Sequence, residues 1–232
     1  MVEHIVNFSA GKESTAMLIR MLEVDMSVDK IMFGDNGLEY PEVYEYIKVV
    51  EAYINRKVIV IKPRRTWDEL FYKKVTKGKR EGAIRGFPFC CVPGCWASRD
   101  LKIRPMEHAR PKDALIYLGI NCNEKYRMQH EKGHSENLRY PLIDWGWDEQ
   151  KCLDYLDSKG LFPPLYKKFE RTGCWLCPKQ RMSSLKILFS DYPELWRKLK
   201  KYEADSPHGF KPNVKLMDLE RKWDSQKKSD DF

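Results

Sequence analysis

Hydrophobic residues in the first third of the chain alternate between short apolar runs and longer stretches with helical spacing. Residues 4–8 and 28–34 are rich in β-branched and other apolar side chains, which is typical of buried strands. Residues 13–24 repeat apolar side chains at the spacing of an amphipathic helix, and residues 40–54 do the same. Residues 57–63 form a third apolar run. This order of strand, helix and strand predicts a parallel sheet.

The remaining pattern adds two strands and then becomes helical. Apolar runs over 113–121 and 138–145 continue the sheet, and residues 97–109 have helical spacing. After Trp147 we predict helices over 148–160, 192–205 and 213–223, followed by a disordered tail over 224–232. We therefore predict an α/β fold with a doubly wound, mainly parallel, five-stranded sheet and a helical C-terminal lobe.

The same pattern predicts two domains with a soft boundary near residue 146. The first, residues 1–146, is the α/β domain, and it contains a basic, cysteine-bearing insert at 62–112. The second, residues 147–232, is the helical lobe and carries a C-x2-C motif.

The junction between the first strand and the first helix, NFSAGKEST at residues 7–15, is built from small residues, hydroxyls and a lysine. A helix that begins in such a turn directs unpaired N–H groups and the positive end of its dipole at one point, which favours an anion. The competing interpretation is that Ser9 or Ser14 only caps the helix. The stretch is not a Walker A loop, because Val6 stands where that motif needs a glycine.

The junction resembles the S-G-G-x-D-S pyrophosphate loop of the adenine nucleotide alpha-hydrolase superfamily, also called PP-loop ATP pyrophosphatases. Ala10 replaces the middle glycine and Glu13 replaces the aspartate. Five further segments resemble, in order, blocks of the phosphoadenylylsulfate (PAPS) reductase branch. They are DNGLEYPE at 35–42, LKIRP at 101–105, YLGINCNEKYR at 117–127, YPLIDWGWDEQ at 140–150 and RTGCWLCP at 171–178. Over about residues 4–180, the chain is identified as a member of the PAPS reductase-like family.

The resemblance implies that the chain binds ATP or a related adenine nucleotide, with the first loop on its phosphates. Asp35 would lie near the adenosine or a magnesium ion, and Lys102 and Arg127 would reach the distal phosphates or a sulfate. The catalytic residues implied are Lys12, Asp35, Lys102 and Arg127. The nucleotide-binding residues implied are Ser9, Ala10, Gly11, Lys12, Glu13, Ser14, Thr15, Phe33, Asp35 and Gly119.

Two departures from the family pattern lie near the expected phosphates. The family often has arginine where this chain has Asn121, and Glu13 is longer than the usual aspartate. Lys12 is retained, which favours cleavage of ATP between the α and β phosphates, because departing pyrophosphate needs positive charge. Mg²⁺ would share that charge stabilisation.

Composition and charge narrow the class of protein. The 232 residues are 42% hydrophobic, enough for a sizeable core. The chain has no apolar run as long as about 18 residues and no signal peptide pattern, so we expect a cytoplasmic protein without a membrane partner.

A net charge of +8 favours a polyanionic partner. Residues 62–86 combine many Lys and Arg with Trp67, Phe71 and Tyr72, which suits single-stranded nucleic acid; a solvated helix face is the alternative.

The cysteines cluster at metal-ligand spacing. The candidate ligands are Cys90, Cys91, Cys95, Cys174 and Cys177. A C-x2-C turn paired with a second thiol cluster is a strong metal signal, whereas the isolated Cys122 and Cys152 are interpreted as unliganded. Assimilatory adenylylsulfate reductases and the sulfur-activating enzymes of DNA phosphorothioation have similar thiols around a [4Fe–4S] cluster. We therefore expect that iron–sulfur cluster, with zinc as the alternative.

These features together predict an enzyme that cleaves ATP to pyrophosphate and activates an oxygen or amide by adenylyl transfer. As a transferase of the sulfurtransferase kind, it would deliver sulfur from a donor protein to a nucleic acid or small metabolite. One alternative is a sulfonucleotide reductase, which is disfavoured because those enzymes use a cysteine in a C-terminal tail and the last cysteine here is Cys177. The other is a non-catalytic nucleotide- or nucleic-acid-binding module stapled by the metal.

Overall fold

The computed structural model of the chain describes residues 2–89, 94–130 and 135–230. Contacts between residues divide the chain into two compact units. Unit 1 comprises residues 1–35, 39–63 and 102–172, and unit 2 comprises residues 36–38, 64–101 and 173–232. The two-domain division near residue 146 stays a prediction; residue 146 itself falls inside unit 1.

Unit 1 contains the sheet, and its strand order is β3-β2-β1-β4-β5. Every neighbouring pair of these strands is parallel, which confirms the predicted five-stranded parallel sheet in the described part of the chain. The strands are β1 (His4–Phe8), β2 (Lys30–Gly34), β3 (Ile59–Ile61), β4 (Leu115–Leu118) and β5 (Leu138–Arg139).

The continuous apolar runs of the central strands follow from their burial. In β1, Ile5, Val6 and Phe8 are buried, and β2 is buried over its last four residues. A parallel sheet covered by helices on both faces needs apolar side chains in both directions, so these strands do not alternate with polar residues. The edge strand β3 is more exposed.

Helices surround the sheet and make up most of unit 2. The α-helices are α1 (Lys12–Glu23), α2 (Pro41–Ile54), α3 (Trp67–Phe71), α4 (Trp96–Ser98), α5 (Arg104–His108), α6 (Pro141–Asp144), α7 (Glu149–Ser158), α8 (Met182–Asp191), α9 (Pro193–Asp205) and α10 (Leu216–Asp230). A π-helical segment, Arg99–Ile103, joins α4 to α5, and 3-10 turns span Cys122–His130, Ser135–Asn137 and Pro164–Lys167. Within the described residues, no helix is both long enough and apolar enough to cross a bilayer.

Two predicted boundaries are wrong. The strand predicted over 138–145 is only two residues long, because Pro141 cannot donate to a strand ladder and instead starts α6 at its first position. Of the tail predicted to be disordered, residues 224–230 continue α10, and residues 231–232 lie outside the described residues. This helix is anchored by Trp223, whose ring lies 5.7 Å from that of Trp196 in α9. The residues after Trp223 include good helix formers, so the anchored helix propagates.

Unit 2 has an aromatic core that includes part of the basic insert. The rings of Trp67 and Trp96 stack with centroids 5.0 Å apart, and Phe71 meets Phe87 at 5.2 Å. Trp67 is 5% exposed and Phe71 is 0% exposed. The prediction that these two side chains stack on nucleic acid is therefore wrong, because they hold unit 2 together.

Candidate functional site

The carboxyl ends of three strands lie level at one edge of the sheet in unit 1. Phe8 of β1 pairs with Phe33 of β2, and Asn7 of β1 pairs with Leu118 of β4. In the sheet, β2 and β3 lie on one side of β1, and β4 and β5, which come later in the chain, lie on the other side. The order thus switches between β1 and β4, which is where open parallel sheets bind ligands.

The loop after β1 is closed by its own hydroxyl groups. The Ser14 hydroxyl accepts a hydrogen bond from the Ser9 main-chain N–H at 3.1 Å, and the two side-chain oxygens are 2.9 Å apart. Ser14 and Thr15 both donate to the main-chain oxygen of Gly11, at 3.2 and 2.8 Å. The residue at the cap position of α1 is Gly11, and it offers no side-chain cap. The alternative that Ser9 or Ser14 caps this helix is therefore wrong, and the helix start stays open to an anion.

Ala10 adopts a left-handed backbone conformation, with φ of 57°. This conformation costs an L-residue with a Cβ about 1 kcal/mol relative to glycine. It falls at the position where the superfamily loop has its middle glycine. The backbone at Ala10 thus has a conformation that glycine adopts without strain and that alanine adopts at this cost.

Lys12, the first residue of α1, has a buried ammonium group held between opposite charges and an aromatic ring. Its Nζ lies 2.8 Å from Oε1 of Glu149 and 3.8 Å from Oε1 of Glu13, and its side chain is 4% exposed. The same nitrogen is 4.0 Å from the ring centroid of Tyr166. Burial lowers the pKa of Lys12, but the hydrogen bond to Glu149 and the nearby Tyr166 and Glu13 outweigh it, so the pKa is raised. Lys12 is therefore a permanent cation at the start of the helix.

The two departures from the family pattern contact each other. Asn121, which is buried after β4, places its amide nitrogen 3.5 Å from Oε1 of Glu13. Burial raises the pKa of Glu13, and the charge of Lys12 opposes that rise. Glu13, which is longer than the usual aspartate, and Asn121, which stands where the family often has arginine, therefore lie side by side next to the loop.

The end of β2 brings together three of the predicted site residues. Asp35 is buried and accepts a hydrogen bond from the Tyr44 hydroxyl at 2.8 Å. Burial and this bond raise the pKa of Tyr44, so its hydroxyl stays a donor. Nζ of Lys102 lies 5.6 Å from the ring centroid of Phe33 and 3.2 Å from Oε1 of Glu39.

Arg127 lies in the 3-10 turn that follows β4. Its guanidinium binds Oε2 of Glu124 at 2.7 Å, and Arg171 lies 3.7 Å from the other oxygen of the same carboxylate. The charge of Glu124 is close enough to Glu13 to contribute to the raised pKa of that residue. Arg127 is therefore near the loop, because its ion-pair partner Glu124 is close to Glu13. The catalytic role of Arg127 stays a prediction.

Gly119, at the end of β4, packs directly on the first turn of α1. A Cβ at this position would lie 2.7 Å from the main-chain N of Ser14 and 2.8 Å from its Cα. Atoms do not approach so closely, and the backbone of the phosphate loop would have to move. Gly119 therefore positions the loop, whatever else it contacts.

Replacing Gly119 with alanine is expected to lower nucleotide affinity at least about tenfold, because the main-chain N–H groups of the displaced loop would no longer point at the phosphates. Calorimetric titration with ATP measures the effect. The control is Gly173→Ala, since a Cβ there meets no atom within 4 Å. Wild-type affinity in Gly119→Ala would show that the loop tolerates the shift.

In unit 2, Cys174 and Cys177 form a turn that favours thiolate. The Cys177 N–H donates to the main-chain oxygen of Cys174 at 3.1 Å. The hydrogen bond between the two side chains lowers the pKa of Cys177 to about 6 against the effect of burial, helped by the Lys179 N–H and the charge of Lys211. Two adjacent thiols with one readily ionised fit a thiolate-bound metal.

The other predicted metal ligands are not brought together within the described residues. Cys95 precedes α4 in unit 2, whereas Cys90 and Cys91 lie outside the described residues. In the described ranges, no three or more Cys, His, Asp or Glu side chains surround a common point. The five-thiol centre therefore stays a prediction. Cys152 is buried, and burial raises its pKa to about 12, which suits an inert thiol.

The sequence motifs did not single out Glu149 and Tyr166, although both contact the Lys12 side chain. Glu149 stands inside the block at 140–150 that carried the family resemblance, so a signal for it was present. Tyr166 lies outside all the quoted blocks, and only the fold brings it to Lys12.

Glu149→Gln is expected to raise the affinity for ATP and pyrophosphate several-fold, because an anionic phosphate competes with this carboxylate for the Lys12 ammonium. Glu45→Gln is the matched control, since Glu45 pairs with Lys48 on the exposed face of α2. Titration calorimetry measures both. Weaker binding in Glu149→Gln would mean that the carboxylate orients Lys12 instead of competing for it.

Comparison with known proteins gives a family-model match over part of the chain and a shared fold. Residues 3–82 match the family model of the phosphoadenosine phosphosulfate reductase domain. The chain is 25% identical over 206 residues to the uncharacterized protein MJ0066 of Methanocaldococcus jannaschii, covering 84% of this chain and 40% of that protein. It is 24% identical over 203 residues to the uncharacterized protein MJ0973 of the same organism, covering 83% and 45%. The chain thus spans less than half the length of these relatives.

A solved structure has the same fold. The phosphoadenylyl-sulfate (PAPS) reductase of Candida auris, in complex with phosphate, matches with a TM-score of 0.51 and 16% identity, over 75% of this chain and 83% of that one. The family model covers β1, the loop, α1, β2 and Asp35, which together form most of the site described above. The family model thus confirms the resemblance over residues 3–82, and the solved structure shows that the chain has the fold of a PAPS reductase.

Proposed function

We propose that the protein cleaves ATP between its α and β phosphates and transfers the adenylyl group to an acceptor. The acceptor oxygen attacks the α-phosphorus, the bond from that phosphorus to the bridging oxygen breaks, and pyrophosphate leaves with the electron pair. The observation that carries this proposal is the buried Lys12 ammonium at the open start of α1, beside a loop whose hydroxyls fix its shape. Negative charge builds up on departing pyrophosphate, and a fixed cation stabilises it.

The surrounding residues have matching roles in this proposal. In the free protein Glu149 holds Lys12, and the incoming phosphates take over that ammonium. Tyr166 and the buried end of the Lys12 stem keep the charge in one place, which lowers the reorganisation needed during reaction. Asp35, held by Tyr44, presents a carboxylate of the kind that Mg²⁺ binds. When bound, Mg²⁺ would neutralise charge on the β- and γ-phosphates.

We propose further that activation prepares the acceptor for sulfur from a donor protein, as in a sulfurtransferase. The acceptor is then an oxygen or amide on a nucleic acid or small metabolite. The Cys174–Cys177 turn, in which the Cys177 N–H donates to the main-chain oxygen of Cys174, supports a metal centre in unit 2, a [4Fe–4S] cluster or zinc. Cys90, Cys91 and Cys95 would supply the remaining ligands.

The test is the release of pyrophosphate from MgATP, measured with and without a mixed pool of oligonucleotides. Stoichiometric ATP binding and pyrophosphate release that requires Lys12 support the proposal. The second candidate, a sulfonucleotide reductase, is favoured by the fold shared with the Candida auris enzyme. Thioredoxin-dependent release of sulfite from PAPS, without pyrophosphate release from ATP, would assign that reaction instead. ATP binding with neither product would indicate a non-catalytic module.

A further inference from the structure

The positive charge of the protein is concentrated in unit 2. Counted over their sequence ranges, unit 2 has 22 Lys and Arg against 13 Asp and Glu, a net charge of +9, whereas unit 1 has 20 against 21, a net charge of −1. The phosphate loop lies in the nearly neutral unit 1. The excess positive charge, which attracts a polyanion, therefore belongs to unit 2.

Unit 2 contains a cavity of about 530 Å³, which is within the range of sites for small organic ligands. Its aromatic wall is formed by Phe89 and His208, and its charged rim by Lys211, Lys215 and the single carboxylate of Asp218. We call it the Phe89–His208 pocket.

The aromatic wall presents an exposed ring on a rigid support. Phe89 is 45% exposed, and its ring stacks on that of His208 with centroids 4.4 Å apart and an angle of 18° between the planes. Nε2 of His208 is 3.0 Å from the main-chain oxygen of Phe87, which fixes the imidazole. Burial lowers the pKa of His208, so the imidazole stacks as a neutral ring at pH 7. Phe89 is thus a partly exposed aromatic platform beside the buried aromatic core.

Fixed cations flank this platform. The Arg80 guanidinium lies 5.2 Å from the Phe89 ring centroid and donates to the main-chain oxygens of Ile84 and Arg85 at 3.1 and 2.8 Å. On the charged rim, Nζ of Lys211 donates to the main-chain oxygen of Pro178 at 2.7 Å. Both cations are therefore placed before any ligand arrives.

The rim residues at 211–215 lie in a tight turn. A main-chain bridge joins Lys211 to Val214, Pro212 restricts the turn, and Asn213 has a left-handed φ of 56°. Lys215 follows directly on the rim and is exposed. Such a preformed rim loses little conformational entropy when a ligand binds.

We propose that the Phe89–His208 pocket binds a nucleobase of single-stranded nucleic acid, with the base against Phe89 and the neighbouring phosphates on Arg80, Lys211 and Lys215. An accessible ring beside fixed cations in a unit of net charge +9 fits a ligand that has both a flat π-face and a phosphate chain. An acidic peptide offers the charge without the base. This inference deepens the proposed function, on which it rests for the acceptor class, and the binding itself needs no ATP.

The test is fluorescence anisotropy of a labelled single strand of about 12 nucleotides at low salt without ATP, a length that spans a typical single-strand site. Phe89→Ala is expected to weaken binding about tenfold, since stacking contributes about 1–3 kcal/mol per base. Phe89→Trp should retain it. The matched control is Tyr126→Ala, which removes a 61% exposed ring from unit 1 and should leave affinity unchanged.

Two further measurements distinguish base stacking from binding by charge alone. The wild-type protein should bind an abasic strand of the same length at least about tenfold more weakly than the intact strand. Lys215→Gln should reduce the log–log dependence of affinity on salt by about 0.7, the value for one lost phosphate contact on a single strand, whereas Lys48→Gln on α2 should not. Equal affinity for intact and abasic strands, or for polyglutamate, overturns the proposal.

The outcome is independent of the ATP chemistry. A protein that releases pyrophosphate but does not distinguish intact from abasic strands keeps the proposed function and loses this inference. A protein that binds the strand through Phe89 but releases no pyrophosphate keeps the pocket and loses the proposed function. The abasic comparison uses the wild-type protein. It can therefore overturn the proposed base stacking even where Phe89→Ala fails to fold.

Discussion

Lys12→Ala is expected to reduce pyrophosphate release from ATP by at least about a hundredfold, the usual effect of removing one fixed group that stabilises developing charge. ATP binding should weaken as well, because the buried ammonium would no longer meet the phosphates, and Glu149 would be left facing them. A coupled pyrophosphate assay and calorimetric titration measure the two effects.

Two further variants make this result specific. Lys48→Ala removes an exposed lysine of α2 and should leave turnover unchanged. Lys12→Arg should not restore full activity, because a planar guanidinium does not replace a compact ammonium in the space between Glu149, Glu13 and the Tyr166 ring. Wild-type turnover in Lys12→Ala would remove the basis of the proposed function.

Cys177→Ser is expected to release the metal from protein purified without oxygen and to lower its melting temperature by several degrees, because a bound metal contributes its binding free energy to folding. Metal analysis, the optical spectrum and a thermal melt measure these effects. An iron–sulfur cluster predicts iron and sulfide together with visible absorption, whereas zinc predicts a colourless protein.

The matched variant is Cys152→Ser, which should leave the metal content intact. Cys152 is a buried thiol whose pKa is raised to about 12, so it is not expected to ligate a metal. Wild-type protein with neither iron nor zinc would contradict the metal centre. A structure in which the Cys174–Cys177 turn and the Cys90–Cys95 segment lie much farther apart than sulfur–metal bonds of about 2.3 Å allow would contradict the shared ligation.

The sheet could be predicted because its signals are local. The apolar runs at β1 and β2 are continuous, as burial on both faces requires, and the helices between them have clear periodicity. The length of β5 could not be predicted from the same signal, since a proline two residues after the strand ended it. The extension of α10 depended on Trp223 meeting Trp196, a contact that periodicity does not reveal.

The site was predictable in part for the same reason. The loop from Ser9 to Thr15 is contiguous, so its motif could be recognised even with Ala10 in place of glycine. Glu149 and Tyr166 are far from Lys12 along the chain and reach it only through the packing of unit 1. The aromatic residues of the basic insert misled the prediction, because a ring among lysines can lie in a core or on a surface.

The positive charge of unit 2 has a consequence for how fast a nucleic-acid acceptor arrives. At about 0.1 M salt the field of a charged surface extends about 10 Å, so a net charge of +9 on unit 2 is expected to speed the capture of a polyanion. Added salt should therefore slow the association of single-stranded nucleic acid with the wild-type protein. In the proposed function, ionic strength would then act on the rate at which the acceptor is captured.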